Sequence, residues 1–571
     1  MAGKPALAIL FKGTDTPVLL SELTMKQEMW LENGRPFEYV RIDPPMEGEP
    51  SEHEDGWAGM AGEEMDALSE LNDKIMEAEL TESSGEEKHS AGSSKQGVAS
   101  AAERVARYQA SLIAPDMDQS KETYCVEDFK RVVKELKVEG ERPHHQTPIK
   151  VLSGCTGMLA EGWVCKLLGI PVESYNCSDP KPESYSIVNL NFGPQVASFH
   201  KTLQEQISRL VEPCHSDSQE AADAKHLENP DLAVAGTPCQ PFSRQRSKRS
   251  ADNSVRSHSK FSTTFVDLLD WLRAFEPKCG AFEQVEGLDC PESTACRTTP
   301  LERLLKLLDA KEWGHGGYHM EPVRMDSSAW INMSRPRIYV VFIRKDIGTA
   351  QDLQKVVQTI KDIGACRKKF PPAKWTDLLL PDGPQLDDCF AKFGLGQAQA
   401  PGRSKANDDQ QTKKWKQECL TFRNRHGVSP GYSPWTSQPG FKGRGMSVTE
   451  RVRDLLDCVT ISEMKRADVP ASEIKDHLQD FFLDVSQGLT RSAHTQNGIN
   501  KCLTCSTTAY SFGRDRLVAA WETLVFQGFP SRSLKVPDTF SNSDLKEFVG
   551  EGMNLPCLAA VIFSLYTHVR F

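Results

Sequence analysis

The sequence predicts an α/β fold with a mainly parallel sheet. Three observations carry this. From residue 148, runs of strand composition alternate with runs of helical periodicity, the pattern of crossover-connected parallel strands. The first strand enters a glycine turn and then a helix, in PIKVLSGCTGMLAEGWVCKLLG. A strongly apolar strand, PRIYVVFIRKD, closes the run.

The elements follow in chain order. Residues 1–43 hold two strand-like runs, LAILF and FEYVRI. The apolar patch in MAGKPALAILFKGTD stops at Thr14 and Asp15, which suits a first strand better than a signal peptide. Between Pro44 and Ser90 stand 15 Asp and Glu against 2 Lys, among many Gly, Pro and Ser. Residues 44–100 are therefore read as an acidic, partly disordered linker with one helix-like stretch, MDALSELNDKIMEAEL. Residues 101–146 read as a helical accessory segment, with apolar residues at helical spacing in AAERVARYQASLI and CVEDFKRVVKELK. The core is placed at 147–345. Residues 346–500 break the pattern with Lys, Gln, Gly, Pro and Trp, as in SPGYSPWTSQPGFKGRG, and read as a smaller region with long loops. Residues 501–571 return to strand and helix.

The chain of 571 residues carries a net charge of −11. The acidic segment accounts for all of it, so the remainder is free to present a basic face. No apolar run reaches the ~18 residues of a membrane span. The 16 cysteines are scattered, and only Cys502 and Cys505 form a CxxC. One such pair falls short of a structural zinc site, so no metal is expected. The cysteines read as reduced thiols of an intracellular protein.

Sheets of this class bind ligands beyond the carboxyl ends of their strands. Gly154 and Gly157 open one such edge, and Asp179 ends the next strand, where a carboxylate suits ribose hydroxyls. The stretch GTPCQPFSRQR then places Cys239 just past a third strand. Cys239 is open to three readings: an inert packed thiol, a metal ligand or a nucleophile. The loop after it holds Arg244, Arg246, Lys248 and Arg249, and positive charge favours thiolate and suits phosphate. The strand GAFEQV brings Glu283 to the same edge, and SRPRIYVV starts a strand with Arg335 and Arg337. A thiolate, a carboxyl and two guanidiniums on one sheet suit covalent catalysis.

These segments resemble, in order, the DNA (cytosine-5) methyltransferases. GTPCQPFS resembles their catalytic signature, FEQV their Glu-Asn-Val segment and MSRPR their Gln-x-Arg-x-Arg segment. VLSGCTG resembles the cofactor-binding opening, and NCSDP with VNLNFG the acidic second strand. WETLVFQGFP resembles the E-x-x-x-x-Q-G-F-P stretch, and GEGMNLP the closing Gly-Asn segment. The resemblance covers roughly residues 148–345 and 500–571.

The resemblance implies a Rossmann-like S-adenosylmethionine-dependent methyltransferase sheet, with 346–500 as the target-recognition region. It implies S-adenosyl-L-methionine as cofactor, double-stranded DNA as substrate and, through that substrate, a nuclear location. It implies no membrane, and the N-terminal segment is left for a protein partner. By the same resemblance Cys239 adds to C6 of a flipped-out cytosine, Glu283 manages the proton at N3, and Arg335 and Arg337 bind the base oxygen or a phosphate. Gln240, Ser243, Arg244 and Arg246 would meet the nucleic acid. Leu152, Gly154, Gly157, Asp179, Pro238 and Glu551 would line the cofactor. Departures from the pattern are Leu152 for phenylalanine, Thr156 for glycine, Gln284 for asparagine, Met333 for glutamine and Glu551 for asparagine; Cys177 competes with Asp179 for the acidic position. Two other readings stay open. One is a transfer-RNA cytosine-5 methyltransferase, whose Cys-Phe-Thr segment Cys502-Leu503-Thr504 echoes. The other is a paralogue that binds nucleic acid without catalysis.

Overall fold

The computed structural model describes residues 124–136, 147–211, 230–392 and 405–570, apart from short interruptions, together with the backbone of three N-terminal strands. The acidic segment 44–100 and the first helix expected after it lie outside the described residues. The chain divides into two compact units. One holds 1–106, 238–269 and 286–306; the other holds 107–237, 270–285 and 307–571.

The two N-terminal runs are strands. β1 (Ala6–Phe11) pairs antiparallel with β2 (Val18–Leu19) on one side and β3 (Phe37–Ile42) on the other. Helix α1 (Tyr124–Glu135) follows and buries Phe129, Val132 and Val133.

A seven-stranded sheet forms the centre of the larger unit. Its strands are β4 (Ile149–Gly154), β5 (Val172–Ser178), β6 (Val196–His200), β7 (Leu232–Gly236), β8 (Cys279–Val285), β9 (Tyr318–Asp326) and β10 (Pro336–Arg344). Helices α2 (Ala160–Leu168), α3 (Pro182–Phe192), α4 (Leu203–Val211), α5 (Asp267–Phe275) and α6 (Pro300–Leu308) make the crossovers. The order is β6-β5-β4-β7-β8-β10-β9. β4 to β8 run parallel, and β10 runs antiparallel to both neighbours. The chain works outward from β4 to β6 and then returns to the other side at β7. The switch point therefore falls between β4 and β7, where such sheets take their ligands. This is the mainly parallel Rossmann-like sheet expected from the sequence.

Central strands are apolar because both faces are covered; β7, LAVAG, is buried along four of its five residues. Edge strand β9, YHMEPVRMD, went unread in the sequence because it is polar and carries Pro322, a residue that sheets tolerate at an edge.

The chain continues through α7 (Ala350–Arg367), α8 (Pro384–Lys392), α9 (Lys405–Arg425), α10 (Glu450–Ala467) and α11 (Ile474–His477). A small antiparallel sheet follows, β11 (Phe482–Asp484), β12 (Ala509–Ser511) and β13 (Arg516–Leu517), then α12 (Ala520–Phe526), α13 (Asn542–Glu551) and α14 (Leu555–His568). Helix α14 is buried almost all round and packs against α1, α2 and α7. The main core thus runs past residue 345 through α7. Trp163 and Phe192 meet edge to face at 5.1 Å inside it, as core residues. A second apolar cluster joins Trp435, Leu455, Leu456 and Val459 to Tyr510, Phe512 and Leu517, so the smaller region has a core that crosses position 500.

In the basic run at 367–369, Arg367 is fully buried. Its guanidinium donates to the carbonyls of Trp330, Phe370 and Pro371 and pairs with Asp128 at 2.9 Å. A chain segment buried without regular hydrogen bonding leaves acceptors that an arginine can satisfy.

Candidate functional site

The β4–α2 turn is built from backbone that most side chains avoid. Cys155, Gly157 and Leu159 have φ of 52°, 53° and 57°. Only the glycine adopts this region freely. Asp179, just past β5, holds the turn: Oδ2 accepts from Gly157 N at 2.9 Å and Oδ1 from Lys181 N at 3.0 Å. Thr156, standing where the family pattern has glycine, ties the turn to β5, because its hydroxyl accepts from Ser178 N at 3.0 Å. Leu152 is buried within β4, between Asn176 and Ala233 in register. Beneath the turn, Glu161 is buried, and desolvation pushes its carboxyl up to about 7, with the Ser153 hydroxyl partly offsetting the rise.

These residues fit a nucleoside-bearing cofactor. A Cβ at Gly157 would meet no other atom, so the space over the turn is open. Asp179 keeps acceptor capacity beyond its two backbone donors, which suits ribose hydroxyls. Gly236, at the end of β7, lies where a Cβ would approach Met553 Cε at 3.0 Å, so the backbone is close to the 550–556 segment. Glu551 is engaged differently from an asparagine. Lys181 Nζ lies 2.5 Å from both Glu547 and Glu551 and ties α13 to the β5–α3 turn.

Further along the sheet edge, Gly236 pairs in register with Glu283. Cys239 follows Gly236 by three residues in the chain. Glu283 is buried, and its Oε1 lies 2.7 Å from Arg337 Nε on β10. The contact matches charge without hydrogen-bond alignment, so that oxygen retains acceptor capacity. Gln284, at the family's asparagine position, donates from Nε2 to Thr237 O at 3.0 Å and to Thr237 Oγ1 at 3.2 Å. It fixes the residue that precedes Pro238. Arg335 has a different use from the one expected. Its Nη2 donates to Gly550 O and Gly552 O at 2.9 and 2.7 Å, and its Nη1 to Leu503 O at 3.2 Å and Cys502 Sγ at 3.4 Å. It laces the start of β10 to two late segments.

The smaller unit holds Cys239, which is partly exposed. Pro238 O accepts from the Thr264 hydroxyl at 2.9 Å. Cys239 O accepts from Phe242 N and Ser243 N at 3.1 and 3.0 Å. Gln240 Oε1 is buried without a hydrogen-bond partner among the described residues. Of the basic residues after it, Arg244 is exposed and reaches Glu286 at 3.4 Å. Arg246 turns back to Pro241 O and Ser254 O. Arg249 is buried and bound to four carbonyls. Lys248 lies outside the described residues.

The structure therefore pairs Glu283 with Arg337, brings Asp179 onto Gly157, and turns Arg335 away to backbone carbonyls. The sequence reading missed Lys181 and Arg249 as positioning groups. Gln284, expected at a supporting position, keeps the amide chemistry of asparagine and makes a backbone contact to Thr237. Among the described residues no group of His, Cys, Asp and Glu could hold a metal ion.

A model of the C-5 cytosine-specific DNA methylase family matches residues 197–564. No curated protein sequence matches the chain. Among solved structures, the Dnmt2 methyltransferase of S. pombe is similar at 15% identity and a TM-score of 0.37, covering 74% of this chain and 98% of that one. The Entamoeba histolytica methyltransferase EhMeth is similar at 12% identity and a TM-score of 0.35, with the same coverages.

Proposed function

Because the chain belongs to the C-5 cytosine-specific DNA methylase family, whose members use S-adenosylmethionine as methyl donor, we propose that it methylates C5 of a cytosine in double-stranded DNA through a covalent adduct on Cys239. The observation that carries this is the pairing of Glu283 with both Arg337 and Gly236, at the strand end that leads to Cys239.

The residues divide the work as follows. The target base leaves the duplex, because stacking blocks both of its faces. The Cys239 thiolate adds to C6, and electron density moves toward N3 and C5. Glu283, oriented by Arg337, holds the proton at N3, and its free acceptor capacity meets the exocyclic amine. The cofactor, when bound, supplies an electrophilic methyl group. A base then takes the C5 proton, and the thiolate is expelled. Asp179 and the Gly154–Gly157 turn would hold the nucleoside of the cofactor. Gln284 fixes Thr237, and Arg335 braces the 550–552 segment rather than touching the base. Arg244, exposed, is left to meet phosphate, with Gln240 and Ser243 beside it in the loop. The N-terminal segment is assigned to a protein partner, and the proposed substrate puts the protein in the nucleus.

A second reading, methylation of transfer RNA, has one observation in its favour. The Cys502-Leu503 pair that echoes the RNA branch packs directly on Arg335. Transfer of labelled methyl to duplex DNA and to transfer RNA, with wild type and Cys239→Ala, separates the two. Label in DNA cytosine that disappears in the variant supports the proposal. Label in RNA alone moves the protein to the second reading. No transfer to either, with no cofactor binding, points to the non-catalytic paralogue.

A further inference from the structure

The loop that carries Cys239 is neither helix nor strand, so its carbonyls need donors from elsewhere. Three successive anchors hold the backbone on either side of Cys239. Thr264 Oγ1 holds Pro238 O at 2.9 Å. Phe242 N and Ser243 N hold Cys239 O at 3.1 and 3.0 Å. Arg249 Nε holds Phe242 O at 3.2 Å. The other end of the same guanidinium reaches the turn that follows Glu286. Its Nη2 donates to Gly287 O at 2.7 Å and Cys290 O at 2.9 Å, and its Nη1 to Pro291 O at 2.6 Å.

Arginine is the one side chain with enough donors in a fixed fork to serve four carbonyls at once. The 287 position is shaped for the same contact, because a Cβ at Gly287 would overlap the Phe242 carbonyl. Arg249 is only 5% exposed, so it does not present its charge to a phosphate. Its neighbour Arg244, with 61% of its side chain exposed, can.

We propose that Arg249 is a positioning residue for the nucleophile. Its guanidinium, bound to the carbonyls of Phe242, Gly287, Cys290 and Pro291, clamps the Cys239 loop onto the 287–291 turn and fixes the direction of the thiol. The role in turnover rests on the reading of Cys239 as nucleophile; the clamp itself does not.

The test uses the full chain with Arg249→Met, Arg249→Lys, Gly287→Ala and Arg244→Gln. The first readout is amide hydrogen exchange over residues 238–249 beside the rest of the chain. Arg249→Met and Gly287→Ala should accelerate exchange in that loop while central-sheet protection stays unchanged. Unchanged loop exchange in both variants overturns the clamp, whether or not the protein transfers methyl. The second readout is steady-state methyl transfer. Arg249→Met should lower kcat by about 10²-fold with KM little changed, the effect of a misdirected reacting atom. Arg249→Lys should recover part of that loss, and Arg244→Gln should act mainly on KM. A rise in KM with unchanged kcat for Arg249→Met overturns the positioning role and makes Arg249 a nucleic-acid contact. Loosened exchange in the variants of a chain whose wild type transfers no methyl supports the clamp and removes the enzymatic reading instead.

Discussion

Arg337 Nε lies 2.7 Å from Glu283 Oε1 across the antiparallel β8–β10 pair. Arg337 stands opposite Val285 in register, so Glu283 is its diagonal neighbour on the same face. Both side chains are largely buried, at 12% and 7% exposure. A buried charge that loses its partner costs about 3–5 kcal/mol. Glu283→Ala should therefore destabilise strongly in a denaturant titration, and Glu283→Gln less, because the amide keeps the shape. Both variants should lower single-turnover methyl transfer by about 10²–10⁴-fold, the range for a lost acid–base group. Full rate in Glu283→Gln would remove the carboxyl from the chemistry.

Glu522 belongs to the stretch WETLVFQGFP, and its role is architectural. It pairs with Arg516 through two bonds of 2.9 and 2.8 Å, both residues being essentially unexposed. It also accepts from Leu380 N and Ala519 N, while Arg516 donates to Leu380 O. Glu522→Gln should leave the guanidinium under-compensated and cost about 3–5 kcal/mol. Thermal unfolding monitored with and without cofactor checks this. A melting temperature equal to wild type would contradict it.

Glu161 gives stability a pH dependence. Burial lifts its carboxyl from 4.5 to about 7. The folded protein then holds the proton to higher pH than the unfolded chain does. Glu161's contribution is fully present below about 4.5 and is lost as pH rises to about 7, by a few kcal/mol at most. Glu161→Gln should flatten that decline in denaturant titrations between pH 5 and 8. An unchanged slope would show that other groups set it.

The Lys181 contacts with Glu547 and Glu551 are short but partly solvated, with 27%, 47% and 42% of the side chains exposed. Pairs of this exposure are worth about 0–1 kcal/mol and are screened by salt. Lys181→Met should cost no more than that, and the cost should shrink as ionic strength rises. A loss that is large and insensitive to salt would mean that the ion pairs organise the fold.

The sheet was legible because burial on both faces makes strands such as LAVAG and PRIYVVFIR continuously apolar. The strand ends were legible because Cys239, Glu283 and Arg337 sit in short ordered motifs. What the sequence concealed depends on contacts between distant segments. Asp179 was expected on a ribose and also closes onto Gly157 N. Arg335 was expected on the base and instead binds carbonyls at 550 and 552. Arg249 was read as one more cation in a basic loop, yet irregular backbone drew it inward. In each case the deciding partner is a carbonyl or amide whose position no side-chain pattern records. Edge strand β9 escaped because its polar alternation and Pro322 resemble a loop.

The central claim is that Cys239 attacks the base, and a mechanism-based trap tests it most directly. Duplex DNA carrying 5-fluorocytosine at every cytosine would be incubated with wild type or Cys239→Ser and S-adenosylmethionine, then analysed under denaturing conditions. Fluorine at C5 blocks the final proton removal, so the account predicts a denaturation-stable protein–DNA adduct in wild type that is absent in Cys239→Ser. Wild type that binds cofactor and methylates ordinary duplex DNA but forms no adduct, or a serine variant that still methylates, would contradict it.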